Sequence, residues 1–237
     1  MFDFSGQNML IIGGSSGMGF ATAKLGASLG AQVTIASRSA AKIDAAKKRL
    51  APETKGRILD VTNDQGVEEF FRDGVTWDHI VVTGSDVTIA PVRKLPLATA
   101  RAAFDSKYWG FYRVARAAQI RAGGSLSVIA GFLATRPNAE RALMGSINGA
   151  LESLVQGLAL ELKPVRVNAV SPAMVDTEIW ASLPADAREG AYAKVKAAYP
   201  AECIGNPEDV ARQLLLLAAT QYATGTIVTL DGGASIA

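Results

Sequence analysis

Seven short runs, apolar almost throughout, recur along the chain, and longer stretches of helical character separate them. The runs are Met9–Ile12, Val33–Ala36, Ile58–Leu59, His79–Val82, Leu126–Ala130, Val165–Val170 and Ile227–Leu230. A strand exposed on one face alternates apolar and polar residues, whereas these runs do not, so they read as strands buried on both faces. Strands buried on both faces need helices above and below them, and the intervening stretches supply these. Phe20–Leu29, Ala40–Leu50, Val67–Phe71, Thr99–Ile120 and Ala139–Leu162 each fit. Repeated β-α-β units with right-handed crossovers predict an α/β fold: one open, doubly wound parallel sheet of about seven strands with helices on both faces. No internal repeat or low-complexity segment interrupts the pattern, so residues 1–237 read as a single domain.

The composition removes competing classes. Twenty-four Lys+Arg against 22 Asp+Glu give a net charge of +2, and 49% of residues are apolar, which excludes a disordered chain. One Cys and one His exclude a disulfide scaffold and a Cys/His zinc site, so no metal is expected. There is no Lys/Arg block of the nucleic-acid-binding kind. No run approaches the roughly 18 apolar residues of a membrane span. The first basic residue is Lys24, so the charged start of a signal peptide is missing and a cytoplasmic location is expected. His79 opens an apolar strand and reads as a strand-end histidine, and Cys203 as a free structural thiol. The stretch from about 176 to 200 carries Trp180, Pro184, Tyr192 and Tyr199 and is the least regular. It reads as a lid or substrate loop, or alternatively as a surface helix pair with core aromatics.

The first run leads into Gly13-Gly14-Ser15-Ser16-Gly17-Met18-Gly19 and then into a helix. Glycines at such a junction allow a tight turn and let backbone N–H groups approach an anion, while the helix points its positive end at it. This marks a dinucleotide phosphate loop in a Rossmann-type sheet. The spacing is Gly-x3-Gly-x-Gly. With Leu59-Asp60-Val61-Thr62, Arg166-Val167-Asn168-Ala169-Val170-Ser171-Pro172, Thr224-Gly225 and Asp231-Gly232-Gly233, the chain resembles the short-chain dehydrogenase/reductase family over essentially its whole length. The resemblance implies that Gly13, Ser15, Ser16, Gly17, Met18, Gly19, Asp60, Val61, Thr83, Gly84, Asn148, Pro172, Val175 and Thr177 contact a nicotinamide dinucleotide.

The end of the second strand selects between cofactors. A carboxylate there would accept bonds from the ribose 2′-OH of NAD. The chain has Ser37-Arg38 instead, and a guanidinium pairs with a 2′-phosphate, so NADP(H) is expected. The alternative leaves Arg38 as a solvated surface charge.

The resemblance implies hydride transfer between a carbonyl and an alcohol. In the family, a tyrosine supplies the proton and a lysine four residues later lowers its pKa. A serine near the fifth strand orients the substrate oxygen, and an asparagine on the preceding long helix holds a water. The matching positions here are Met144, Asn148, Gly131 and Lys107, so each of these side chains is replaced. The enoyl-reductase spacing would put the tyrosine at Arg141, and it fails as well. Val82-Thr83-Gly84-Ser85, Ala173 and Ile12 depart from other family positions.

Substitute groups are therefore sought. Lys107 is the leading candidate for proton donor or oxyanion stabiliser, and Asn148 can still hydrogen-bond a ribose. Ser127, Ser146, Arg136 and Arg141 are further candidates, and a solvated or interface lysine is the alternative reading of Lys107. Two function readings follow. One is an NADP(H)-binding oxidoreductase with an atypical active site, acting on an unknown, partly apolar carbonyl or alcohol substrate. The other is a catalytically inactive cofactor-binding protein, either a sensor or a partner subunit. Self-association as a dimer or tetramer through the two long helices is expected, with Tyr108 and Trp109 suited to it.

Overall fold

The computed structural model describes residues 2–86 and 88–237. Its strands are β1 (Asn8–Ile12), β2 (Gln32–Ser37), β3 (Lys55–Ile58), β4 (Trp77–Val82), β5 (Ile120–Ile129), β6 (Arg166–Pro172) and β7 (Ile227–Leu230). They form a seven-stranded sheet in the order β3-β2-β1-β4-β5-β6-β7, with every neighbouring pair parallel. The helices are α1 (Gly17–Ser28), α2 (Ala40–Lys47), α3 (Asp64–Phe71), α4 (Leu97–Phe104), α5 (Gly110–Ala117), α6 (Ala142–Glu161), α7 (Ala185–Ala198) and α8 (Pro207–Ala219). The expected doubly wound α/β architecture is therefore present.

Side chains alternate across a strand, and this splits the apolar runs between two cores. From β1, Leu10 and Ile12 join Ile80, Phe111, Ile147 and Leu151 on one face. Met9 and Ile11 join Ile35, Val81, Val210 and Leu214 on the other. Truncating any one of these fully buried side chains to Ala should cost about 2–5 kcal/mol. The chain runs outward from β1 through β2 and β3, then returns to place β4 on the other side of β1. The order thus reverses between β1 and β4, and the crevice beyond their carboxyl ends is where such sheets bind ligands.

Several expected elements differ in the structure. The run at Ile58-Leu59, expected to be buried on both faces, gives instead the edge strand Lys55–Ile58, with Ile58 exposed. The long helix expected over Thr99–Ile120 is divided, because a π-helical turn, Asp105–Trp109, separates α4 from α5. That helix also stops at Ala117, and Ile120 opens β5, which starts earlier than the apolar run indicates because its first residues are half-polar and lie at the edge of the core. The 176–200 stretch forms a short 3-10 turn, Glu178–Ser182, followed by α7, which buries none of its residues.

Arg166 serves an architectural purpose that its motif does not reveal. Its guanidinium donates to the carbonyls of Leu217, Ala218 and Thr220 at 2.6, 2.5 and 2.9 Å, satisfying the unpaired C-terminal carbonyls of α8. Asn168 adds a bond to the Ala223 carbonyl at 2.9 Å and accepts from the Thr226 N–H. Both residues pin the end of α8 to β6. His79 is buried, with Nδ1 2.8 Å from Ser125 Oγ and Nε2 2.7 Å from Gln7 Oε1. Burial, reinforced by the nearby Arg166 charge, pulls its pKa down to about 4. It is a neutral structural imidazole within the sheet.

Candidate active site

The glycine loop leaves no room for side chains. A Cβ on Gly13 would strike the backbone N of Gly84 and lie 2.6 Å from Thr83 Oγ1, and one on Gly19 would strike the Gly13 carbonyl oxygen. Gly13 also has φ +86°, which an L side chain rarely adopts. The loop therefore folds tightly back on Thr83-Gly84 at the end of β4, and α1 begins beside it. The Gly17 N–H donates to Glu178 Oε2 at 2.9 Å, so the start of α1 already holds a carboxylate.

These elements wall a cleft of about 400 Å³ beyond the β1/β4 reversal. Of the residues expected to contact a dinucleotide, Gly13, Ser15, Ser16, Gly17, Met18 and Gly19 line it from the loop. Ser37, Arg38, Asp60 and Val61 line it from the ends of β2 and β3, Thr83 and Gly84 from β4, and Thr177 from the segment after β6. Asp60 is braced locally, its Oδ1 accepting from the Thr62 N–H and hydroxyl at 3.0 and 2.8 Å. Ser39 and Lys42 also line the cleft beside Arg38, and sequence reasoning missed both. Their signal was the start of α2, which Ser39 caps by accepting from the Lys42 N–H at 3.3 Å. Asp86 was missed as well. It lies across the cleft and accepts from Arg38 at 3.3 Å, both side chains being exposed.

Three expected contacts are not on this cleft. Val175 is buried, bridges to Gly205, and lines a separate apolar cavity between α1 and α8. Pro172 is the buried last residue of β6. Asn148 is 2% exposed and is enclosed by α6, β5 and the π-helical turn.

The enclosure around Asn148 holds Lys107, the central residue of the π-helical turn. Lys107 Nζ donates to Asn148 Oδ1 at 2.6 Å and to the Ala130 carbonyl at 2.8 Å. An ammonium has three donors, and no other bond from Nζ is seen among the described residues. Desolvation pulls the amine down to about 8, while the Glu152 charge acts in the opposite sense. Next to it, a Cβ on Gly131 would lie 2.6 Å from Asn148 Nδ2. The Asn148 carboxamide thus occupies the space that a side chain at 131 would need. Gly131, Asn148 and Lys107 fit one another as a set.

The remaining candidates lie elsewhere. Ser127 is fully buried in β5 with no hydrogen-bond partner, because alternation turns it toward the other core. Ser146 Oγ bonds back to the Ala142 carbonyl of its own helix at 3.0 Å. Arg141 is the residue before α6, and Arg136 is exposed. Trp180, Tyr192 and Tyr199 do not line the cleft either. Trp180 Nε1 donates to the Val175 carbonyl at 2.9 Å, Tyr192 OH donates to Asp176 at 2.6 Å, and Tyr199 packs on Gly232. They tie the 176–200 segment down, while Thr177, Glu178 and Ile179 present it to the cleft. No group of three or more His, Cys, Asp or Glu is placed to hold a metal among the described residues, and no helix among them is long and apolar enough to cross a membrane.

A parallel sheet reversing at β1/β4 above a glycine loop defines a dinucleotide-binding protein of the Rossmann class. Residues 13–235 match the family model described as enoyl-(acyl carrier protein) reductase. Short-chain dehydrogenase/reductase ATR9 of Stachybotrys chlorohalonatus is 32% identical, over 97% of both chains. The solved MalC reductase/Diels-Alderase of Malbranchea aurantiaca superposes with a TM-score of 0.91 at 27% identity, covering 99% of this chain and 98% of that one. A small-chain dehydrogenase solved in complex with NADPH superposes with a TM-score of 0.80 at 28% identity, covering 98% and 99%. The chain belongs to the short-chain dehydrogenase/reductase family.

Proposed function

We propose that the protein is an NADP(H)-dependent oxidoreductase acting on a carbonyl or alcohol, with Lys107 in place of the family's usual proton-donating machinery. The observation that carries this reading is the Lys107 amine itself. It is fixed between Ala130 O and Asn148 Oδ1 and desolvated, and no third bond from Nζ is seen among the described residues.

The cleft residues suit a dinucleotide. The cramped glycine loop and the start of α1 would hold the pyrophosphate, with Thr177 beside them. Asp60 and Val61 would meet the adenine. Arg38, Ser39 and Lys42 offer two cations and a helix start to a 2′-phosphate, which supports NADP(H) over NAD(H). The NADPH complex of a related protein agrees with that preference. Bound NADPH supplies the hydride. The protein's part would be to hold a proton and a positive charge at Lys107 Nζ, available to an oxygen that gains charge as the carbonyl is reduced. The proton remains on Nζ below about pH 8 and is lost above it. The substrate class is a carbonyl or alcohol compound. Self-association through exposed Trp109 and Tyr112 on one side, with Leu160 of α6, belongs to the same proposal.

One observation favours the second reading, a cofactor-binding protein without turnover: neither Lys107 nor Asn148 borders the cleft. A single experiment separates the two. NADPH and NADH are titrated against the protein, and cofactor oxidation and reduction are then scored on a panel of carbonyls and alcohols. Turnover that Lys107→Met reduces by about 10²–10⁴-fold, with NADPH binding kept, supports the first reading. Tight NADPH binding with no turnover on any substrate supports the second. Turnover unchanged by Lys107→Met overturns the role of Lys107.

A further inference from the structure

Lys107 is one member of a larger polar unit that is partly buried and reaches beyond the positions matched to the family. Asn148 and Glu152 are four residues apart on α6 and so lie one above the other on the same face of that helix. Asn148 Oδ1 is bonded to Lys107 from the π-helical turn. Glu152 Oε1 accepts from Ser171 Oγ at 2.8 Å, and Ser171 on β6 is 1% exposed. The unit therefore ties three elements together: the π-helical turn through Lys107, α6 through Asn148 and Glu152, and β6 through Ser171. A buried ammonium without a counter-charge is expensive, and its two direct partners here are neutral carbonyl groups.

We infer that Glu152, oriented by Ser171, is the counter-charge that holds Lys107 as an ammonium in its Asn148–Ala130 seat, acting as a positioning residue for the proton donor. The inference rests on the reading of Lys107 given above but concerns a different residue and a different measurement. Glu152 is the charged group that acts on Lys107 among the described residues, and Lys107 acts back on Glu152. Burial raises the Glu152 carboxyl above the usual range, while the Ser171 hydrogen bond and the Lys107 charge draw it back. The two oppositely charged groups form no ion pair among the described residues; Glu152 lies one helical turn beyond the Asn148 that holds Lys107, on the same face of α6. This arrangement tunes the acidity of the amine without adding a bond to Nζ. Ser171 keeps the carboxylate in place, because an unbonded Glu152 would be free to turn out of the half-buried position it occupies.

The test follows the Lys107 amine directly in the full chain without added cofactor. Protein carrying 13C at the lysine ε-carbons is titrated, and the Lys107 signal is assigned by its disappearance in Lys107→Met. In wild type the midpoint is expected near 8, with a second, smaller inflection at acid pH as Glu152 takes its proton. Glu152→Gln should move the midpoint down by about one unit, and Glu152→Asp should restore much of it. An unmoved midpoint in folded Glu152→Gln overturns the inference. Should Glu152→Gln fail to fold, the absence of the acid inflection in wild type overturns it equally. None of these readouts requires turnover, so a protein inactive on every substrate would reject the catalytic reading of Lys107 and leave the Glu152 coupling to be judged separately.

Discussion

The glycine-loop cleft and the Lys107 cluster are built on different terms. At the cleft, backbone meets backbone: Gly13 and Gly19 pack so closely on their neighbours that no side chain fits. In the cluster, side chains meet side chains: Lys107 bonds Asn148, whose carboxamide fills the space beside Gly131, and Ser171 bonds Glu152 one turn along α6. A backbone cradle binds any dinucleotide and tolerates few substitutions. A side-chain cluster can exchange its members provided they still fit, as shown by a lysine and an asparagine facing each other at 107 and 148. The cleft is therefore held by backbone contact, and the cluster by side chains that fit one another.

The largest effect is expected from Gly13→Ala. The strain at φ +86° and the collision with Gly84 and Thr83 should together cost about 3 kcal/mol and remove NADPH binding, read by denaturant unfolding and a binding titration. If alanine is tolerated there, the cradle is not built by backbone contact.

Acid should destabilise the fold by a similar amount through His79. Its folded value is about 4 against 6.5 unfolded, so the unfolded chain binds the proton first. The contribution is complete above pH 6.5 and is lost as pH falls to 4, about 3 kcal/mol in all. Unfolding midpoints measured across that range for wild type and His79→Gln check it, and the variant should show a flatter profile.

Gly131→Ser should cost about 1–2 kcal/mol, because its Cβ would lie 2.6 Å from Asn148 Nδ2. The same substitution in an Asn148→Ala background should cost much less, and additive costs would contradict the fitted set. Lys107 acts in the same pH sense as His79, but in the alkaline range. Its folded value lies below the unfolded 10.5, so burying the ammonium opposes folding fully below pH 8, and the penalty fades as pH rises toward 10.5. Lys107→Met should remove this alkaline gain in stability. The smallest effect is expected at the exposed rim. Arg38→Ala should narrow the expected preference for NADPH over NADH by about 5-fold, since a solvated cation contributes about 1 kcal/mol. An unchanged preference would leave Arg38 as a surface charge paired to Asp86.

Much of this was legible in the residues themselves. Uninterrupted apolar runs demand strands covered on both faces, and a glycine loop between a strand and a helix demands a close-approaching anion. These requirements are local, so the seven-stranded sheet and most of the cleft-lining residues could be placed without coordinates. What the chain alone did not disclose depends on residues far apart in sequence. Arg166 caps a helix that begins some forty residues later, and its motif says nothing of the carbonyls it satisfies. The π-helical turn that seats Lys107 leaves no mark in the apolar periodicity of its stretch. The residue pattern was enough to place the layers and the glycines of the loop. Only the tertiary structure decided that Val175 faces another cavity, that Asn148 fills the space above Gly131, and that Lys107 meets Asn148 with Glu152 behind it. The physical reason is that patterning fixes which face of an element is buried, whereas the partner a buried polar group finds depends on how separate elements pack.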